Sequence, residues 1–228
     1  MISTTIAIVG GTGALGSALA RRFAAAGHKV LLGSRQEARA MEAAKLANTA
    51  VGADLVRGSN NVGAAVAADL VVLTIPFEAM LDALPPLAAA TAGKTVVSTV
   101  VPLTFQRGLA YAVSVAEGSA ARRAQDMLPA GHVVGAFHHL SASVLADLAS
   151  PLDADILVCG DHAEAKEDVF RLVTALPGAR ALDVGGLDAA GVIESFTVAL
   201  LRLNRRYRGH SSLRITHLTV GRPSAGED

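Results

Sequence analysis

The chain has no tryptophan, one cysteine and two tyrosines among 228 residues. A single cysteine cannot close a disulfide within the chain, so burial must hold the fold. Cys159 follows the apolar run Ile156–Val158 and reads as a buried strand residue, not a reactive thiol. An excess of one charge is also missing: 20 basic residues face 20 acidic ones, which gives no electrostatic footprint for nucleic acid. No uninterrupted apolar run reaches the roughly 18 residues of a membrane helix. The first such run, Ile6–Val9, stops at Gly10-Gly11 and has no basic segment before it, unlike a secretion signal. These absences predict a cytoplasmic protein with no membrane or nucleic-acid partner.

Apolar residues, by contrast, make up 51% of the chain, and the mean hydropathy is +0.43. That composition excludes a disordered chain. Much of the surplus is alanine, a strong helix former that lets neighbours pack closely. A buried subunit interface, hence a homodimer, is a further place for it.

The first hundred residues alternate short apolar runs with Ala-rich stretches. Strands are expected at Thr5–Val9, Lys29–Leu32, Leu55–Arg57, Leu70–Ile75 and Thr95–Val101. Helices are expected at Ala14–Ala26, Gln36–Ala50, Val62–Ala68 and Phe77–Ala90, the last broken at Pro85-Pro86. The βαβα alternation predicts an α/β protein with a doubly wound parallel sheet. Beyond it, strands are expected at His132–Phe137, Ile156–Cys159 and Arg180–Val184, and helices at Ser119–Met127, Ala163–Ala175 and Asp188–Arg206. Asp161 and Glu164 have the spacing of a capping box. Ser, Asp and Pro151 cluster over Ser141–Leu152, so the expected division is residues 1–145 and a smaller α/β part, 146–228.

Gly11-Thr12-Gly13-Ala14-Leu15-Gly16 fits the pattern G-x-G-x-x-G between the first strand and first helix. In that context the glycines let backbone approach a pyrophosphate, which the helix N-terminus attracts. An NAD site wants a carboxylate at the end of the second strand. This chain has Gly33-Ser34-Arg35 there and Arg39 one turn on. A hydroxyl and two guanidiniums suit a 2′-phosphate, so NADP(H) is the expected dinucleotide.

With the glycine loop and Gly33-Ser34-Arg35 go Thr74-Ile75-Pro76-Phe77-Glu78, Val100-Val101-Pro102, Gly118-Ser119-Ala120-Ala121, Val133–His138, Val158-Cys159-Gly160-Asp161 and Glu194-Ser195. In this set the chain resembles the F420H2:NADP oxidoreductases over nearly its whole length. Its ending, Asn204-Arg205-Arg206-Tyr207 with His210, Leu213, Arg214 and Ile215, resembles that of bacterial members. The resemblance implies a Rossmann domain for NADP(H) and a smaller C-terminal domain. It also implies a cleft where the deazaflavin coenzyme F420 lies against the nicotinamide, hydride transfer between them, and a homodimer. Thr12 to Leu15 would then contact the pyrophosphate, and Ser34, Arg35 and Arg39 the 2′-phosphate. Thr74, Ile75, Pro76, Val101, Pro102, His138 and Ala142 would line the two rings. After His138 the family pattern continues with a small polar residue, an aliphatic residue and proline; here His139-Leu140-Ser141 stand instead, so the pocket wall differs in shape.

Hydride transfer between two cofactors needs no protein nucleophile, which agrees with the lack of a catalytic triad or metal set. His138 and His139 admit two readings: one tunes the deazaflavin, or one packs in the core while the other faces solvent. Arg202, Arg205, Arg206 and Arg208 either grip an anionic tail or favour a helix C-terminus. Glu194 either faces the cleft or is an ordinary exposed carboxylate. Two other functions remain open: an NADPH-dependent reductase of a flavin, ferric chelate or imine, and a non-catalytic NADP-binding sensor.

Overall fold

A computed structural model describes residues 3–218. Its strands are β1 (Thr5–Val9), β2 (Lys29–Ser34), β3 (Val56–Asn60), β4 (Leu70–Leu73), β5 (Thr95–Ser98), β6 (Leu103–Gln106), β7 (Leu109–Ala112), β8 (His132–Gly135), β9 (Ala154–Gly160) and β10 (Ala179–Asp183). Its helices are α1 (Ala14–Ala25), α2 (Glu37–Val51), α3 (Asn61–Ala67), α4 (Met80–Ala83), α5 (Ala120–Met127), α6 (Ala142–Ala146), α7 (Ala163–Thr174) and α8 (Ala190–Tyr207). Eight strands form one sheet in the order β10-β9-β8-β5-β4-β1-β2-β3.

The strands are apolar on both faces because both faces are covered. Along β1, Ile6 and Ile8 join a core under α1 and α2, whereas Ala7 and Val9 join a second core under α3 and α4. Pairing is parallel throughout except between β8 and β9. The sheet therefore continues past residue 145 without a gap, and its direction reverses there.

Two local expectations are corrected and one element is added. The Phe77–Ala90 segment is one short helix, α4, between two 3-10 turns, Phe77–Ala79 and Pro85–Leu87, because the proline pair lacks amide donors. The capping box at Asp161 does not form: His162 is the N-cap of α7, and Asp161 instead accepts the Leu187 N–H at 2.7 Å. The antiparallel hairpin β6–β7 was not foreseen. Its two-residue turn is Arg107-Gly108, both left-handed (φ 49° and 74°). That is the backbone of a type I′ turn without its usual Asn-Gly signature.

The hairpin also accounts for half of the arginine cluster. Arg202 donates to the Ala110 carbonyl at 2.8 Å and stacks over Tyr111 at 4.5 Å. Arg205 donates to the Gly108 carbonyl. Both therefore pin the hairpin to α8. Arg206 and Arg208 are exposed. No helix among the described residues is long and apolar enough to cross a membrane.

Asp155, at the start of β9, gathers the chain's last described segment. Its carboxylate accepts two bonds from Arg180, both 2.6 Å, one from Arg214 at 2.9 Å and one from the Ile215 N–H at 2.6 Å. Burial alone would raise this carboxyl, but those donors outweigh it and hold it at about 2. A carboxyl held below its unfolded value of about 3.9 stabilises the fold above that pH and loses the contribution as pH falls towards 2. Asp155→Asn should therefore cost about 2 kcal/mol near neutrality. The gap from wild type, read as unfolding free energy against pH, should close between pH 4 and 2. A pH-independent gap would overturn this account.

Candidate functional site

In an open α/β sheet, ligands collect at the carboxyl ends of the strands, near the point where the strand order reverses. Here the chain leaves β1 towards β2 and returns to β4 on its other side, so that point is between β1 and β4. Around it the sheet order brings together loops far apart in sequence. Residues after β2, β1, β4, β5 and β8 lie along one edge, spanning roughly 19 Å at about 4.8 Å per strand.

The loop after β1 is built for close approach. Gly10 turns at φ +74°, and its N–H donates to Asn61 Oδ1 at 3.2 Å. The Gly11 N–H donates to the Gly33 carbonyl at 2.9 Å, and Gly13 N–H to Gly10 at 3.2 Å. A Cβ on Gly16 would lie 2.7 Å from both Gly11 Cα and Thr74 Oγ1, so α1 sits tight against the loop and β4. Its N-cap, Gly13, offers no side chain to cap it. Thr12, Gly13 and Ala14 are exposed and Leu15 is half-buried. The first-turn N–H groups and the positive end of α1 are left for an anion. Asn61, which steadies the loop from the start of α3, was missed by the sequence reading; it carries no signal beyond following a strand.

At the end of β2, the buried Ser34 accepts the Gln36 N–H at 3.2 Å and keeps its own proton to donate. Arg35 and Arg39 are both exposed. Neither side chain is in a hydrogen bond or ion pair among the described residues, although the Arg39 N–H donates to the Gln36 carbonyl at 3.0 Å. The two free guanidiniums flank the open start of α2.

Past the switch point the lining becomes apolar. Thr74 Oγ1 donates to the Val9 carbonyl at 3.0 Å, holding β4 to β1. Ile75 is buried and Pro76 exposed beyond it. Thr99 Oγ1 donates to the Leu73 carbonyl at 2.9 Å; Val101 and Pro102 follow, half-buried and buried. After β8, Phe137 adopts φ +63°, a strained conformation for a bulky residue. Its ring is fully buried edge-on to Phe23 of α1, with centroids 6.0 Å apart. This turn folds His138 back over Gly135, where a Cβ would meet His138 Cε1 at 3.2 Å.

The two histidines are thus both buried, which corrects the reading that sends one to solvent. His139 Nε2 bonds the Asp155 carbonyl at 2.6 Å, so this ring is committed to β9. His138 has no partner at either ring nitrogen. Burial, reinforced by the His139 ring, pushes its pKa down to about 3. It is a neutral imidazole whose donor and acceptor are both unspent. Ala142 opens α6 just beyond and is half-buried.

Glu194 is neither exposed nor in the cleft. Only 1% of it is exposed, and its oxygens accept the Ala120 and Ala121 N–H groups at 2.8 and 2.9 Å. Burial raises its pKa to about 7 despite those two bonds. It caps α5 from α8. Cys159 is fully buried in β9, with its thiol pushed up to about 12 by burial. It is no nucleophile.

Residues 5–102 match the family described as NADP oxidoreductase, coenzyme F420-dependent. The F420-dependent NADP reductase of Methanocaldococcus jannaschii is 39% identical over 223 residues, 94% of this chain and 99% of that protein. That of Methanothermobacter thermautotrophicus is 39% identical over 221 residues, 93% of this chain and 95% of that protein. A crystal structure from Arthrobacter sp. FB24, assigned as an F420-dependent NADP-reductase, has a TM-score of 0.80 at 26% identity. It covers 94% of this chain and 100% of that one.

The packing at Gly16 yields a direct test. Gly16→Ala must push α1 off the loop, because backbone and a β4 side chain occupy the space. Dinucleotide affinity, measured by fluorescence titration, should fall roughly 10- to 100-fold, the cost of a displacement near 1 Å. Unchanged affinity would refute the close-approach role.

Proposed function

The chain belongs to the F420-dependent NADP reductase family, and from that membership we propose the residues with which it moves hydride between NADP(H) and coenzyme F420. The carrying observation is the edge from β2 to β8: free cations and open helical N–H groups at one end, an apolar wall and an unspent buried imidazole at the other. When bound, the nicotinamide and deazaflavin rings supply the hydride donor and acceptor themselves. The protein binds, orients and keeps water out.

Thr12 to Leu15 hold the pyrophosphate at the mouth of α1. Gly11, Gly13 and Gly16 let the backbone come close enough. Ser34, Arg35 and Arg39 hold the 2′-phosphate; the two guanidiniums fit it because nothing else among the described residues neutralises them. Thr74, Ile75, Pro76, Val101 and Pro102 form the wall against which two flat rings stack. His138 offers one donor and one acceptor to the polar edge of the acceptor ring. His139, bonded to the Asp155 carbonyl of β9, supports it and touches no ligand. Residues 1–145 hold the dinucleotide and residues 146–228 complete the acceptor side.

A homodimer, working in the cytoplasm, completes the reading. On α8, Val192 (77% exposed), Phe196, Leu203 and Tyr207 (73% exposed) share one helical face with Ala199. Arg206 borders that face beside Ala199, and a second copy of this chain is the occupant that would bury its apolar part. Light scattering should give about twice the chain mass for wild type and a monomer for Val192→Asp/Phe196→Glu. A monomeric wild type, or a dimeric variant, would sink the assignment.

The activity is tested by following NADPH oxidation with F420, with flavin and ferric chelates as rival acceptors. Turnover with F420 is expected; turnover with the rivals alone would overturn the reading. Arg35→Asp should weaken NADPH by about 10- to 100-fold, the worth of a charge-assisted hydrogen bond, and leave NADH nearly unaffected. Equal loss of both would refute the 2′-phosphate assignment.

A further inference from the structure

Arg22 sits two turns along α1, facing away from the glycine loop, and only 4% of it is exposed. A buried guanidinium ordinarily pairs with a carboxylate. This one spends four N–H groups on backbone carbonyls. Nε donates to Leu145 at 2.8 Å, Nη1 to Ser150 at 3.0 Å, Nη2 to Val144 at 3.0 Å and also to Asp147. All four acceptors lie within residues 144–150, the end of α6 and the turn after it. No strand of the sheet contributes one.

A helix needs a partner for its last carbonyls, and here the partner comes from another element. Helix α6 is five residues long and has no side-chain cap at its start. A helix that short does not hold itself together in water. The cation also faces the negative end of α6, which favours it. Next to Arg22 in α1, Phe23 holds the Phe137 ring edge-on. Two adjacent residues of one helix thus fasten both ends of the segment 137–147. That segment carries His138 and Ala142, the acceptor side of the cleft in the reading above, on which this inference rests.

We propose that Arg22 is a positioning residue for the acceptor half of the site, fixing α6 and hence Ala142 relative to the helix that cradles the dinucleotide. Its effect on the reaction is transmitted through α6; it touches neither ring. With α1 as common spine, one rigid element sets the distance between the two binding halves.

The test compares Arg22→Lys and Arg22→Met with wild type. Lysine keeps the charge but cannot span four carbonyls; methionine keeps the aliphatic stem alone. The KM for F420 should rise about 10- to 100-fold in Arg22→Met, the range for a displaced contact, with Arg22→Lys between it and wild type. The Kd for NADPH should stay within about twofold, since the glycine loop is packed independently by Gly16. Hydrogen exchange should quicken at amides 142–150 and not in β1, β4 or β5. A parallel loss of NADPH and F420 affinity, or unchanged exchange at 142–150, would overturn the proposal. Should Arg22→Met not fold, the lysine variant carries the same comparison. Should wild type not turn over F420 at all, the proposed function falls, while exchange in Arg22→Lys still decides whether Arg22 holds the segment.

Discussion

A helix can present its N-terminus to an anion only if it lies close against the sheet that aims it, and the chain's site depends on that closeness at Gly16. A side chain there would need the space of Gly11 Cα and Thr74 Oγ1, each 2.7 Å from the position of a Cβ. With hydrogen in its place, α1 locks onto the turn after β1 and onto the end of β4 together. The open N-terminus of α1 and the end of β4 are then set by one contact. From the other end of α1, Arg22 and Phe23 reach the segment after β8, so the placement is passed on to that segment. The sheet itself, at about 4.8 Å per strand, supplies only the spacing.

The reversal at β9 brings a further strand's start to that edge. Because β9 runs antiparallel to β8, pairing Gly135 with Cys159, its start lies beside the residues that follow β8. Asp155 therefore comes opposite His139 and bonds it through its carbonyl, while its carboxylate collects Arg180, Arg214 and the Ile215 N–H. The last described segment is drawn to the same end, where His210 Nδ1 meets Ser141 Oγ at 3.3 Å. Parallel continuation would have carried β9's start, and these anchors, to the opposite edge of the molecule.

What could be read from the sequence was what short-range physics determines. The glycine loop between β1 and α1 and the buried strands depend on spacing within about thirty residues, and each stands where the pattern put it along the chain. Asp161 shows the limit of that logic: its capping-box spacing was correct, but the Leu187 N–H, far along the chain, took the carboxylate. Glu194 and Arg22 were illegible for the same reason. Each satisfies backbone groups of an element remote in sequence, and no periodicity marks it. The hairpin β6–β7 escaped because Arg107 took a left-handed turn position that Asn usually holds.

The low charge content acquires a meaning from these same residues. Lone buried charges are costly unless each is fully bonded. Among the described residues Arg22, Asp155 and Glu194 are the buried charged groups, and each is bonded chiefly or partly to backbone. Backbone partners cannot be lost by exchanging a side chain, and they come in fixed geometry, so each of the three fixes one joint: α1 to α6, β9 to the C-terminal segment, α8 to α5. Arg35 and Arg39 are the opposite case, exposed cations whose side chains have no partner among the described residues. In the reading proposed above, these two guanidiniums at the edge of the sheet are the ones an anion from outside would use.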